Sequence, residues 1–179
     1  MVDIRLDQSY ENVTKQYDCI VISTGGAGSA ALYQLAKRGL HALGLNRFPP
    51  GHDRGSSRGD TRIIRLAYLE HPDYVPPLKR AFVLWEELER QTSQQLYRET
   101  GFLQIGPTVP GALTSARQHQ LTTEPLSASE VEQRFPRFRV PESMSAVLDP
   151  RARYLRVVAH AKEAVKLGAE VRTGETVPS

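Results

Sequence analysis

YDCIVISTGGAGSAALYQLAKRGLHALGLN, spanning Tyr17 to Asn46, reads as a strand, a tight glycine turn, a helix and a second strand. Cys19-Ile20-Val21-Ile22 is short, apolar and rich in β-branched residues, the pattern of a parallel strand covered on both faces by helices. Gly25, Gly26 and Gly28 follow at once. Ala30, Ala31, Leu32, Leu35 and Ala36 then recur at helical spacing. Lys37 and Arg38 sit at the negative end of the helix dipole, and Gly39 supplies a left-handed stop. Leu43-Gly44-Leu45 reads as the second strand.

Glycines in such a turn serve three demands of a dinucleotide site. The turn must be tight, the backbone must approach a pyrophosphate, and the helix start must offer N–H groups to anionic oxygens. In the GxGxxG frame the signature positions are Ser23, Gly25 and Gly28, so the first glycine is a serine. The acid expected at the end of the second strand, to bind a ribose hydroxyl, falls at Asn46, a neutral partner for the same bond. An ordinary glycine-rich βα turn remains the alternative; the strand–turn–helix–strand context favours the dinucleotide site.

The chain has 179 residues, 40% of them apolar, which allows one domain with a modest core. The formal charge of +3 is spread along the sequence without a long run of like charges, a solvated surface and not a nucleic-acid interface. Cys19 is the single cysteine, so no disulfide framework or thiolate metal cluster is available and a reducing compartment is expected. The first sixteen residues lack the apolar core of a secretory signal, and no stretch approaches the ~18 apolar residues of a membrane span. These features predict a cytoplasmic, soluble protein with no membrane partner, an N-terminal extension over residues 1–16 and a domain over 17–179.

Residues 48–59, FPPGHDRGSSRG, are too rich in proline, glycine and serine for a regular element. A long loop just past a strand's carboxyl end is where open α/β sheets bind ligands, so a functional loop is expected. Arg62 and Arg65 follow, three apart around Ile63 and Ile64. If helical, they share a face and could clamp an anion; the plainer reading is two surface arginines flanking a pair of core isoleucines. Val75, Leu78, Phe82, Trp85 and Leu88 form the stripe of a long helix opening near Pro76-Pro77 and running to about Glu99, with Trp85 in the core. Phe102–Ile105 alternates like a strand after Gly101, and Ser127-Ala128-Ser129-Glu130 is a capping box. Ala146–Leu148 is a brief strand. Leu155, Val158, Ala161 or Lys162 and Val165 mark a last amphipathic helix, stopped by Gly168, before a strand at Ala169–Arg172. The five histidines show no paired metal-ligand spacing, and no GxSxG nucleophile turn occurs.

Four stretches carry a resemblance: YDCIVISTGGAGSAALYQLAKRGL, HDRGSSRGDTRIIRLAYLEHPDYVPPLKRAFVLWEELE, YRETGFLQIGP and LDPRARYLRVVAHAKEAVKLGAEVRTGETV. Together they resemble the N-terminal half of the monomeric sarcosine oxidase and N-methyltryptophan oxidase family, in the FAD-dependent D-amino-acid oxidase superfamily. The GSxxGxTRIIR segment followed by a YVP helix with its tryptophan is the most specific of them. The resemblance implies an α/β fold: a Rossmann-like FAD-binding βαβ domain with a parallel sheet, incomplete, plus the start of a substrate domain.

It also implies roles. Gly25, Gly26 and Gly28, with Ser23 in the same turn, would cradle the FAD pyrophosphate. Asn46 would lie at the ribose, Arg47 and Val177 at further cofactor contacts, and Ser56 and Ser57 in the loop wrapping the flavin. Arg62 would abut the isoalloxazine ring and Arg65 would hold the carboxylate of a small-molecule secondary amine substrate. The reaction implied is oxidation of the C–N bond of an N-methyl or other secondary amino acid, with hydride passing to the flavin. The imine then hydrolyses, and molecular oxygen takes the electrons to give hydrogen peroxide.

The departures from the family pattern are Ser23 for the first glycine, Asn46 for the acid, Arg58 for a histidine and Arg153 for a glycine. The second half, which in the family supplies most of the substrate domain, has no counterpart. Family members are monomers, yet without later strands Cys19–Ile22 would form an exposed apolar edge, so self-association of this chain is expected. Two further readings stand beside the oxidase: a catalytically inactive truncated remnant, and a nicotinamide-binding Rossmann domain.

Overall fold

The computed structural model describes residues 15–57, 61–156 and 159–177. In chain order the first elements are β1 (Cys19–Ile22), α1 (Gly26–Lys37), β2 (Ala42–Asn46), β3 (Thr61–Ile64), a 3-10 turn (Pro72–Tyr74), α2 (Val75–Thr92), β4 (Tyr97–Glu99) and β5 (Phe102–Ile105). Then come α3 (Val109–Gln118), β6 (Glu124–Leu126), α4 (Ala128–Arg134), β7 (Ala146–Asp149), β8 (Arg153–Arg156), α5 (Ala159–Lys166) and β9 (Glu170–Thr173). They divide into two compact units, Met1–Pro49 with His160–Ser179, and Pro50–Ala159.

The first unit is a parallel sheet in the order β1-β2-β9, with Ile20 opposite Leu43, Ile22 opposite Leu45 and Gly44 opposite Val171. Helix α1 buries Leu32, Tyr33 and Ala36. It stops where Gly39 takes φ +79°, with Leu40 N–H reaching back to Leu35 O. A Cβ on Gly44 would lie 2.9 Å from Leu32 Cδ2, so α1 rests directly on β2. The Tyr33 ring lies 5.8 Å from that of His160, which places α5 on the same face. On the opposite face the side chains of β1 are open, with Ile20 57% and Ile22 64% exposed. The expectation that β1 is covered on both faces is therefore corrected. Among the described residues β1 pairs only with β2 and forms an edge of the sheet.

The second unit holds two antiparallel sheets, β3-β8-β4 and β5-β7-β6. Helix α2 buries Val75, Phe82 and Leu88, and half-buried Trp85 packs against the cluster of Ile64, Phe82 and Leu155. It ends at Thr92, short of the expected Glu99, because Ser93 turns left-handed (φ +52°) and the Glu89 carboxylate accepts Leu96 and Tyr97 N–H, drawing the chain into β4. The capping box at Ser127 and Glu130 opens α4.

Other readings are corrected. Residues 61–64 form a strand, not a helix, so the spacing of Arg62 and Arg65 does not put them on one face. Ile64 is core, but Ile63 is 55% exposed. Leu155 belongs to β8, not to the last helix, because β8 is the central strand of its sheet. Val158, Arg58 and all but the end of the expected extension lie outside the described residues. No helix among the described residues is long and apolar enough to cross a membrane.

Candidate cofactor and substrate site

The glycine turn continues the sheet: Ser23 N–H donates to Leu45 O at 2.8 Å, one step past the Ile22–Leu45 register. The chain then folds back so sharply that a Cβ on Gly28 would fall 1.8 Å from Ser23 O. Only glycine fits there. Ser23 holds φ +73°, a left-handed conformation that also favours glycine. Gly25 is the N-cap of α1. No side chain caps that helix and its first turn carries no acid, so nothing local offsets the positive end of its dipole. Thr24 is buried, and its hydroxyl oxygen has no hydrogen-bond partner among the described residues.

Asn46 ends β2 beside this turn. Its Nδ2 donates to Phe48 O at 2.7 Å, which leaves the side-chain oxygen as an acceptor for a hydroxyl. Beyond β9 the backbone pairs with the same corner, Gly174 N–H to Arg47 O and Glu175 N–H to Asn46 O, both at 3.2 Å. That pairing gathers Asn46, Arg47 and the segment leading to exposed Val177 within the first unit.

Ser56, Ser57, Arg62 and Arg65 lie in the second unit. Arg62 Nε and Nη2 donate to Ser56 O at 3.0 and 2.8 Å, and Nη1 donates to Thr61 O. Arg62 thus staples the serine loop to β3. Arg65 is placed differently. Its guanidinium carbon lies 5.2 Å from the Tyr68 ring and 5.1 Å from the Phe102 ring, and its Nε is buried with no hydrogen-bond partner among the described residues. No carboxylate among them pairs with it. A cation held on aromatic faces without an acid keeps its full charge for an anion.

The bend that presents Arg65 is held from three sides. Buried Asp149 accepts Leu66 N–H (3.1 Å) and Ala67 N–H (3.3 Å) on Oδ2. Ser115 Oγ donates to Tyr68 O at 2.6 Å, and Gly111 of α3 comes so near that a Cβ there would sit 2.2 Å from Leu69 O. Thr24, Tyr68, Phe102, Asp149 and Ser115 were not singled out by the sequence. A hydroxyl inside a glycine turn is the signal that could have marked Thr24; nothing local marks Asp149.

The family profile described as FAD dependent oxidoreductase matches residues 18–179. The chain is 42% identical over 167 residues to monomeric sarcosine oxidase of Streptomyces avermitilis, covering 89% of this chain and 44% of that protein. It is 37% identical over 162 residues to N-methyl-L-tryptophan oxidase of Yersinia pestis, covering 88% and 44%. Among solved structures it is similar to NikD, an unusual amino acid oxidase essential for nikkomycin biosynthesis, with TM-score 0.75 and 28% identity over 90% of this chain and 44% of that one. The chain spans less than half the length of each of these relatives. The glycine turn on a parallel sheet and the matched profile agree, and the chain belongs to the FAD dependent oxidoreductase family.

Proposed function

We propose that this chain carries the FAD-binding turn and the substrate-carboxylate arginine of an oxidase of the sarcosine and N-methyl amino acid type. The observation that carries the reading is Arg65: a guanidinium beside two aromatic rings, with a buried Nε that lacks an acceptor and no paired acid among the described residues. A secondary amino acid offers the missing group, its carboxylate, and a charge-assisted bond to it would fix the carbon next to nitrogen in place.

The first unit fits the cofactor. At Gly28 the turn is too tight for any side chain, the start of α1 favours an anion, and buried Thr24 Oγ1 is an unused polar atom in the same turn. Asn46 in the same unit is suited to accept from a ribose hydroxyl; in the second unit, taken by itself, Arg62 orders the loop bearing Ser56 and Ser57. FAD held by these residues would supply a two-electron acceptor whose reoxidation by oxygen would give hydrogen peroxide. The protein's tasks are to bind the carboxylate through Arg65 and to hold the loop through Arg62.

The test is reconstitution of the chain with FAD, followed by its visible spectrum before and after acid precipitation. A flavin spectrum released into the supernatant supports the reading. Arg65→Ala should then weaken carboxylate inhibitors by about 1.5–3 kcal/mol with flavin content unchanged. Equal inhibitor binding by both forms removes Arg65 from the site. A second reading, a chain that holds no flavin, is favoured by Ser23, whose left-handed backbone carries a side chain in the turn; a colourless protein after reconstitution would establish it.

A further inference from the structure

We infer that Asp149 is the positioning residue for Arg65, fixing both the backbone that presents the guanidinium and the ring that flanks it; this rests on the reading of Arg65 as a carboxylate site. Asp149 is 4% exposed. Among the described residues its side chain pairs with no cation; three backbone N–H groups hold it instead. Oδ2 takes Leu66 and Ala67, the two residues after Arg65, and Oδ1 takes Arg151 N–H at 3.0 Å. A buried carboxylate satisfied only by main-chain donors is a template for the turn that supplies them.

The same residue acts on the other wall. Asp149 is the register partner of Phe102 in the β5–β7 pair, and the Phe102 ring packs on the Arg65 guanidinium. One residue therefore sets the spacing between the arginine and one of its two aromatic supports. Tyr68, the other support, is held one step away through Ser115. Without the Asp149 acceptor, Leu66 and Ala67 N–H must find water, and the bend loses the constraint that holds Arg65 Nε away from other acceptors.

The experiment uses the 179-residue chain and propionate as the carboxylate probe, following the Arg65 Nε–H signal by NMR. The wild type should show saturable perturbation of that signal. Asp149→Ala should weaken propionate by at least about tenfold, while Asp149→Asn, which keeps one oxygen for Leu66 and Ala67, should restore most of the affinity. Val131→Ala, a truncation in a separate apolar cluster of the same unit, lowers stability without touching the bend and should bind as the wild type does. Equal affinity for wild type and Asp149→Ala overturns the inference and leaves Arg65 standing. A loss in Val131→Ala equal to that in Asp149→Ala also overturns it, reducing Asp149 to general stability. No perturbation of Arg65 in the wild type overturns the carboxylate reading, and the inference with it.

Discussion

A Cβ added to Gly28 falls 1.8 Å from the carbonyl oxygen of Ser23, and Ser23 itself holds φ at +73°. The two positions pull the same turn in opposite directions. Gly28→Ala must push the start of α1 off β1 and should cost at least about 2 kcal/mol in urea unfolding. Ser23→Gly relieves a left-handed serine and should gain about 0.5–1 kcal/mol after the extra freedom of glycine in the unfolded chain is subtracted. If Ser23→Gly is destabilising, the serine side chain contributes something the backbone angle does not reveal.

Burial holds the His160 imidazole well below its ordinary range, at about 4 against 6.5, and the ring packs near Tyr33 in the first unit. The folded state therefore takes up this proton later than the unfolded chain as pH falls. Stability from neutral His160 is complete above pH 6.5 and is lost as the pH drops from 6.5 to 4, by an amount on the order of 3 kcal/mol. Urea midpoints measured across that window should fall for the wild type and fall less for His160→Gln. Parallel curves for the two proteins would assign the acid sensitivity to other groups.

The elements that were legible are those whose cause is local. Residues 17–46 announce a strand by apolar β-branching, a helix by its period and a stop by Gly39, and the structure has all three. The sheet β3-β8-β4 was not legible, because TRII, YRE and RYLR are short, charged and without clean alternation; they become strands by pairing with one another. Helix α3 carries a proline and a glycine in its first turn, which masks its period, although Gly111 is there to let Leu69 O approach. The site divides in the same way. Arg65 was visible through resemblance, but Asp149 lies 83 residues from the Leu66 N–H it accepts, and no sequence window spans that bond.

Ile20 and Ile22 project from the open face of the edge strand β1, which makes that strand a template for another chain. The isolated 179-residue protein should self-associate with rising concentration in sedimentation velocity. Ile20→Lys combined with Ile22→Thr should shift it toward a single monomeric species, since charge on an edge strand opposes pairing. A wild type that stays monomeric and unfolds in one sharp transition would sink the expectation.

Arg153 stands where the resemblance expects a glycine, and the structure buries it to 5% exposure. Its guanidinium carbon lies 4.7 Å from the Phe82 ring and 4.4 Å from the Tyr97 ring, and Nη1 donates to Glu86 Oε1 at 2.9 Å. Helix α2 is thereby tied to β8 and β4 through one side chain. Removing it opens a cavity between two aromatic rings, while half-exposed Glu86 can rehydrate, so packing and cation–π contact should dominate the loss. Arg153→Ala should cost about 2–4 kcal/mol. Arg153→Met, which keeps much of the volume, should recover about half of that if packing dominates. A Glu86→Gln change should then cost about 1 kcal/mol or less in the wild type, because its carboxylate is already partly in water. If Glu86→Gln costs as much as Arg153→Ala, the ion pair and not the aromatic sandwich holds α2 to the sheet.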